Sequence, residues 1–333
     1  MIQRCPYKQK LLVALGILIA LCGVALTMGR YPMSLEELGN VLLGRDQSSS
    51  FYTLVMQIRL PRIVIVLLSG GALSLAGTIY QAIFQNPLVS PDVLGVSSGC
   101  GVGAILAILF FSSFPHALQI MAFLGGIIAV ILAIMMAKIS KGNTLLGLVI
   151  AGIIISSIAS ALTMLLKYGA DPYKQLPTIE FWLMGGFYKA NWERIGLIWP
   201  SIFLSIMILW ILRWPLKVLT LGDEEASALG VRVKEIRIIA IGAVTLLVAS
   251  VVSVAGIISW VGLVAPHIVK LLVGNNLEKE IPMSLCIGAI VLLVADTLAR
   301  SLYAAEVPIS VLTTFVGAPF LAYLLYRRGR AES

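Results

Sequence analysis

Ten apolar runs alternate with short polar segments along the chain, at roughly 11–29, 62–83, 94–113, 117–138, 145–167, 194–213, 236–256, 258–273, 281–300 and 308–326. A helix of about 20 apolar residues crosses the hydrocarbon layer of a bilayer, and within that layer the backbone must satisfy its own hydrogen bonds. The pattern therefore predicts an all-α integral membrane protein of ten transmembrane helices. An even number of crossings leaves both termini on one side.

Composition agrees with the pattern. With 59% hydrophobic and 12% charged residues, and a mean hydropathy of +0.99, the chain has more apolar surface than one water-soluble core can hide. The net charge of +8 is no mark of nucleic-acid binding, because Lys and Arg sit at the ends of apolar runs, where they orient helices. With the N-terminus in the cytoplasm, the inside segments hold Arg4, Lys8, Lys10, Lys138, Lys141, Arg213, Lys217, Arg232, Lys234, Arg237, Lys270, Lys279, Arg327, Arg328 and Arg330, most of the 24 basic residues. Both termini are accordingly expected in the cytoplasm of a bacterial or archaeal cell, and the chain in its inner membrane. The first run ends in LTMGRY without a small-x-small cleavage site, so it is expected to be retained. Cys5, Cys22, Cys100 and Cys286 lie far apart and form no C-x-x-C, which gives no disulfide framework or zinc site.

Two segments between the runs are too short to cross. Leu219 to Val231 reads LTLGDEEASALGV: Asp223 suits a helix cap, Glu224 and Glu225 the positive end of its dipole, and Gly230 a left-handed end. A cytoplasmic helix of about two turns is expected, rigid enough for a partner to push. On the opposite face, Asp171 to Phe187 (DPYKQLPTIEFWLMGGF) is read as an interfacial or re-entrant helix. Phe181, Trp182 and Phe187 are then expected at the headgroup level, where aromatic rings concentrate; as a plain loop the segment would expose them.

Gly77, Pro87 and Gly95 recur as Gly256, Pro266 and Gly274 at one constant offset, five runs apart. An odd separation inverts the second copy, as in transporters built from inverted repeats. Small residues (Ser69, Gly70, Gly71, Ser74, Gly77, then Gly99, Gly101, Gly103) predict close helix packing. Asp296 and Arg300 stand one turn apart, spaced to pair, with Glu306 beyond; pairing and a proton relay are both open. His267, next to Pro266, is expected to bond a carbonyl that the proline frees. There is no G-x-x-x-x-G-K-[ST], no H-E-x-x-H and no G-x-S-x-G. Phosphate-loop ATP hydrolysis, metalloprotease and serine-hydrolase chemistry thus have no residues to stand on.

The strings RLPRIVIVLLSGGALSLAGTIYQAIFQNPLVSPDVLGVSSG (Arg59–Gly99), LGDEEASALGV, GIISWVGLVAPHIVKLL (Gly256–Leu272), and DTLAR followed by EVPISVLTTFVGAPFLAYLL (Glu306–Leu325) resemble the iron-chelate and vitamin B12 type of ABC importer permease, the FecCD family. The resemblance implies a single permease domain over 1–333, with spans 2–5 and 7–10 as the inverted repeat. It also implies a homodimer whose path is lined mainly by the fifth and tenth spans, two ATPase subunits below, which use the ATP and Mg, and a substrate-binding protein above. The permease itself would carry no catalytic residue, metal or cofactor. By the same resemblance the segment Gly222, Asp223, Glu224, Glu225, Ala226, Leu229 and Gly230 is the coupling helix, and Arg59, Arg62 and Arg300 receive acids of the binding protein. At the cytoplasmic gate, Asn143, Thr144, Leu145 and Leu146 depart from the polar stretch of some relatives and suggest a leucine constriction.

The expected cargo is an iron-siderophore, haem, cobalamin or similar chelate, with an oxyanion such as molybdate or tungstate as the alternative. An ion-coupled secondary transporter is a further competitor, with Asp296 as its only candidate relay. A membrane-embedded enzyme lacks the clustered His, Asp, Glu or Cys it would need.

Overall fold

The computed structural model describes residues 6–29, 31, 33–45, 50–139, 144–302 and 306–332, and among them the regular structure is entirely helical. The elements are α1 Tyr7–Thr27, α2 Leu35–Leu42, α3 Ser50–Thr53, a π-helical turn Leu54–Arg59, α4 Leu60–Ile83, α5 Val96–Phe110, α6 Ala117–Ala137, α7 Thr144–Tyr168, α8 Gln175–Leu183, α9 Trp192–Ile211, α10 Arg213–Leu219, α11 Asp223–Ala228, α12 Val233–Ala255, α13 Val261–Val273, α14 Leu277–Ala299 and α15 Ile309–Glu332. Every one of the ten apolar runs holds a helix. Seven are long and apolar enough to cross a membrane, and three apolar helices are shorter: Val96–Phe110, Val261–Val273 and Ile309–Tyr323.

From α4 to α6 the helices run 24, 15 and 21 residues, and from α12 to α14 they run 23, 13 and 23. In both stretches a long helix is followed by a short one and then a long one. The positional match expected from Gly77, Pro87 and Gly95 does not hold. Gly77 lies inside α4 and Pro87 in a turn, whereas Gly256 ends α12 in a left-handed conformation and Pro266 lies inside α13. In both places the chain leaves its helix before a short one, after Ile83 and after Ala255.

The described chain falls into two compact units, Met1–Leu75 with Gly186–Pro200 and Ser259–Ser333, and Ala76–Gly185 with Ser201–Ile258. Small residues bring helices together inside each, as expected in lipid, where no hydrophobic drive joins them. In the first unit α4 meets α14 with Gly70 and Gly288 so close that a Cβ on either would land on the other's carbonyl. In the second, Gly99 of α5 and Gly125 of α6 stand in the same relation. α2 begins with a reciprocal cap: the Ser34 hydroxyl accepts from the Glu37 N–H, and the Glu37 carboxylate accepts from the Ser34 N–H. Those bonds hold the Glu37 carboxyl below its usual range.

Candidate functional site

The short acidic helix exists, with two differences from expectation. α11 is six residues long, and its N-cap is Gly222, in an extended left-handed conformation (φ +128°) with no side-chain cap. Asp223 does not cap. Its carboxylate takes two hydrogen bonds from the Arg237 guanidinium of α12, at 2.6 and 3.1 Å. Asp223 is held away from the helix end because Arg237, 4% exposed, has this carboxylate as its ion partner and buried charge demands one. The other end is as read. Gly230 is left-handed (φ +83°), with the Gly230 N–H on the Ser227 carbonyl and the Val231 N–H on that of Ala226, the paired closure that ends many helices.

Ala226 is fully buried, so α11 is fastened by an ion pair and an apolar contact, while Glu224, Glu225 and Leu229 face outward. The preceding helix α10 buries Leu216, Val218 and Leu219, and the Gln85 side chain donates to the Leu219 carbonyl at 3.0 Å. A six-residue helix has no stability of its own. Its shape is imposed by α10, α12 and the turn after α4.

The three arginines assigned to docking lie in the first unit, where all are buried and internally engaged. Arg62 donates Nε and Nη2 to Asp296 (2.9–3.2 Å) and Nη1 and Nη2 to Glu306 (2.8 and 3.0 Å). Arg59, at the end of the π-helical turn, donates to the carbonyls of Leu26, Thr27 and Tyr31, and Arg300 to that of Ala25. Ala25, Leu26 and Thr27 form the last turn of α1, whose carbonyls have no intrahelical partner. α1 has no basic residue there, so two arginines from other helices supply the cap and the favourable charge. The expected Asp296–Arg300 pair is secondary: their closest atoms are 3.9 Å apart, and Arg62 holds the fully buried Asp296 carboxylate. Chain spacing shows the turn-to-turn neighbour; it does not show a guanidinium that arrives from α4.

A cavity of about 610 Å³ opens beside α7 in the second unit, lined by Asp92, Val93, Ile153, Ser156, Ser157 and Ser160 among others. Two glycines make it possible. Gly152 lets the Val93 carbonyl rest on α7, and Gly95, left-handed at φ +80°, leaves room for Ser156. Asp92 accepts the Ser97 N–H at 2.7 Å and so serves the first turn of α5. Sequence reasoning missed this carboxylate because it looked for charge within the fifth and tenth runs. The signal was D-V-L-G before a helix, read only as part of a longer motif.

Of the gate residues, Asn143 lies outside the described residues. Thr144 begins α7, Leu145 is half-buried and Leu146 is exposed. The segment Asp171–Phe187 does contain a helix, α8. Of the three aromatics expected at the headgroup level only Phe181 is exposed; Trp182 and Phe187 are buried in protein. Trp182 is drawn in because Gly185 and Gly256 let the end of α8 lie against the end of α12, with a Cβ on Gly256 landing on the Trp182 carbonyl. His267 bonds the Leu263 carbonyl at 2.8 Å through Nδ1. That is its own fourth-back carbonyl and not that of Gly262, the one Pro266 leaves free. Among the described residues no group of His, Cys, Asp and Glu is placed to hold a metal ion.

Long apolar helices joined by small-residue contacts, with a fastened acidic helix between two of them, mark a multi-pass membrane protein. The chain matches the FecCD transport family over residues 17–327 and belongs to it, as an ABC importer permease. It is 38% identical to the molybdate import system permease protein MolB of Haemophilus influenzae, over 96% of each chain. It is 36% identical to the Fe(3+)-citrate import system permease protein YfmE of Bacillus subtilis, over 99% of this chain and 98% of that one. A solved structure described as an inward-facing conformation of a metal-chelate type ABC transporter superposes with a TM-score of 0.88 at 37% identity, covering 96% of this chain and 99% of that one.

Proposed function

We propose that two copies of this chain form the membrane pore of a binding-protein-dependent importer, each a single permease domain crossing the membrane ten times with both termini in the cytoplasm. Two ATPase subunits bind below and hydrolyse ATP with Mg, and a substrate-binding protein delivers cargo above. The observation that carries the reading is α11, clamped by Arg237 to α12 with Glu224, Glu225 and Leu229 outward. A rigid exposed helix on a chain without a phosphate cradle is suited to receive motion generated elsewhere.

The exposed face of α7 supports the pairing of two copies. Leu146, Ile150, Ile153 and Met164 are each 48% exposed or more and recur at helical spacing with Ser157 between them. The Ser157 hydroxyl donates to the Ile153 carbonyl one turn back at 2.8 Å. Docking of the binding protein uses the surface that Arg59, Arg62 and Arg300 hold. Of the two acids on Arg62, Glu306 is the more exposed (28% against 0% for Asp296), so an incoming carboxylate displaces Glu306.

The cargo we propose is a metal chelate of the iron-siderophore, haem or cobalamin kind. The Fe(3+)-citrate relative and the metal-chelate structural neighbour support it. An oxyanion is the second reading, favoured by the molybdate relative and by the Ser156, Ser157 and Ser160 hydroxyls along the cavity. Purification of the complex with its native binding protein, followed by elemental and mass analysis of the retained ligand, tests both. Iron or cobalt with an organic chelator supports the first; molybdenum or tungsten without one overturns it.

A further inference from the structure

Between α1, α13 and α14 runs a groove of about 570 Å³, lined by Gln9, Lys10, Leu12, Val13, Ala14, Ile17, Leu272, Ile287 and Ile290, and all of it belongs to the first unit. Its volume falls in the range of about 300–1,000 Å³ typical of small-molecule sites. The floor is buried protein: Ala14 packs with Ala265, Val269, Met283, Cys286 and Ile287. The wall presents Leu12, Val13 and Ile17, which are 67%, 61% and 48% exposed. From Gln9 to Ile17 the groove follows α1 for about 12 Å at 1.5 Å per residue, close to one leaflet's share of a hydrocarbon layer about 30 Å thick.

Only one end is polar. Lys10 donates its ammonium to the Leu272 carbonyl at 2.7 Å, at the C-terminal end of α13, and an ammonium has further N–H groups to give. Lys8 precedes it. Lys279 lies over the Tyr7 ring at 5.9 Å, and the Tyr7 hydroxyl donates to the Lys279 carbonyl, an aromatic and a base together as at membrane interfaces. Lys270 adds a further cation, with Glu278 and Glu280 as the neighbouring acids on α14. A slot one leaflet long, apolar inside and basic at one mouth, matches one chemistry.

We infer that this groove holds an anionic phospholipid of the surrounding bilayer, one acyl chain between α1 and α14 and the headgroup phosphate at Lys10. Basic pockets between spanning helices on the cytoplasmic side bind anionic headgroups for the same electrostatic reason. The lipid would seal α1, whose outer face touches little protein, to the helices behind it.

The test is native mass spectrometry of the purified full-length chain with phosphatidylglycerol and phosphatidylcholine of identical acyl chains. Phosphatidylglycerol is expected to be retained preferentially at one site. Lys10→Gln should lower its binding about fivefold, the effect of one basic residue at an anionic surface, with little change for phosphatidylcholine. Val13→Trp, at an exposed wall position that tolerates bulk, should abolish retention of both lipids without changing the melting temperature. Equal retention of the two lipids by the unaltered chain overturns the inference, as does an adduct undiminished in Val13→Trp. A lipid-free dimer that Val13→Trp dissociates would also overturn it, assigning the groove to a second copy.

Discussion

The Asp223–Arg237 pair sets how firmly α11 is attached, and removing it has a calculable effect. Arg237 is buried and Asp223 half-exposed, with side-chain exposures of 4% and 50%. A fully buried pair broken on one side costs about 3–5 kcal/mol. Solvent at the Asp223 end reduces that to about 2 kcal/mol, in line with hydrogen bonds to charged groups. Because α11 cannot stand alone, the loss falls on its local opening and not on the whole protein. Asp223→Ala is therefore expected to raise amide exchange from Ala226 to Val231 about 30-fold, the factor that corresponds to 2 kcal/mol, with the centre of α12 unaffected. The swap Asp223→Arg with Arg237→Asp should recover part of the protection. In vesicles with the partner ATPase, Asp223→Ala should hydrolyse ATP while importing less cargo per ATP. Unchanged exchange across α11 in Asp223→Ala would refute the clamp, whatever transport does.

The other outcomes follow from features already described. Glu224→Lys with Glu225→Lys, both exposed, should leave the melting temperature within a degree or two but abolish co-purification with the ATPase. Arg62→Ala leaves the Asp296 carboxylate buried without its partner and should destabilise by about 3–5 kcal/mol; adding Asp296→Asn should restore expression, and a double variant as unstable as the single one would contradict the pairing. Gly288→Ala places a methyl group on the Gly70 carbonyl and should cost about 1–3 kcal/mol, whereas Gly39→Ala, with nothing within 4 Å, should gain up to about 1 kcal/mol in α2. Glu37 ionises below its usual range, so the cap it forms is complete above the ordinary carboxylate pKa and is lost as pH falls through the lowered one; carboxyl NMR titration of Glu37 with and without Ser34→Ala checks the shift.

Where the chain must meet lipid along its length, hydrophobic runs mark the helices directly, and this is why all ten runs hold one. The short acidic helix was legible for the opposite reason, as the polar exception between two apolar stretches. Its interior wiring was not. That Asp223 turns from capping to Arg237 depends on where α12 passes, fourteen residues later. Arg62 illustrates the same limit at longer range, since its acids are 234 and 244 positions away and a helical spacing rule finds only Arg300. Phe187 and Trp182 were misplaced because aromatic residues near a short helix suit both a headgroup layer and a protein core; for Trp182, two glycines far apart in sequence decide between them. Asp92 escaped because its role in the first turn of α5 is local, while its place at a cavity depends on α7.

α12 joins the clamp at one end to the glycine contact with α8 at the other. Its 23 residues make a rod about 34 Å long, and it is largely encased in protein. Tilting it by about 5° at Arg237 would carry Gly256, about 28 Å along the axis, sideways by about 2.5 Å, against the carbonyl of Trp182, where no side chain stands between the two backbones to absorb the shift. Under the proposed function, α12 would pass a displacement of α11 on to the end of α8.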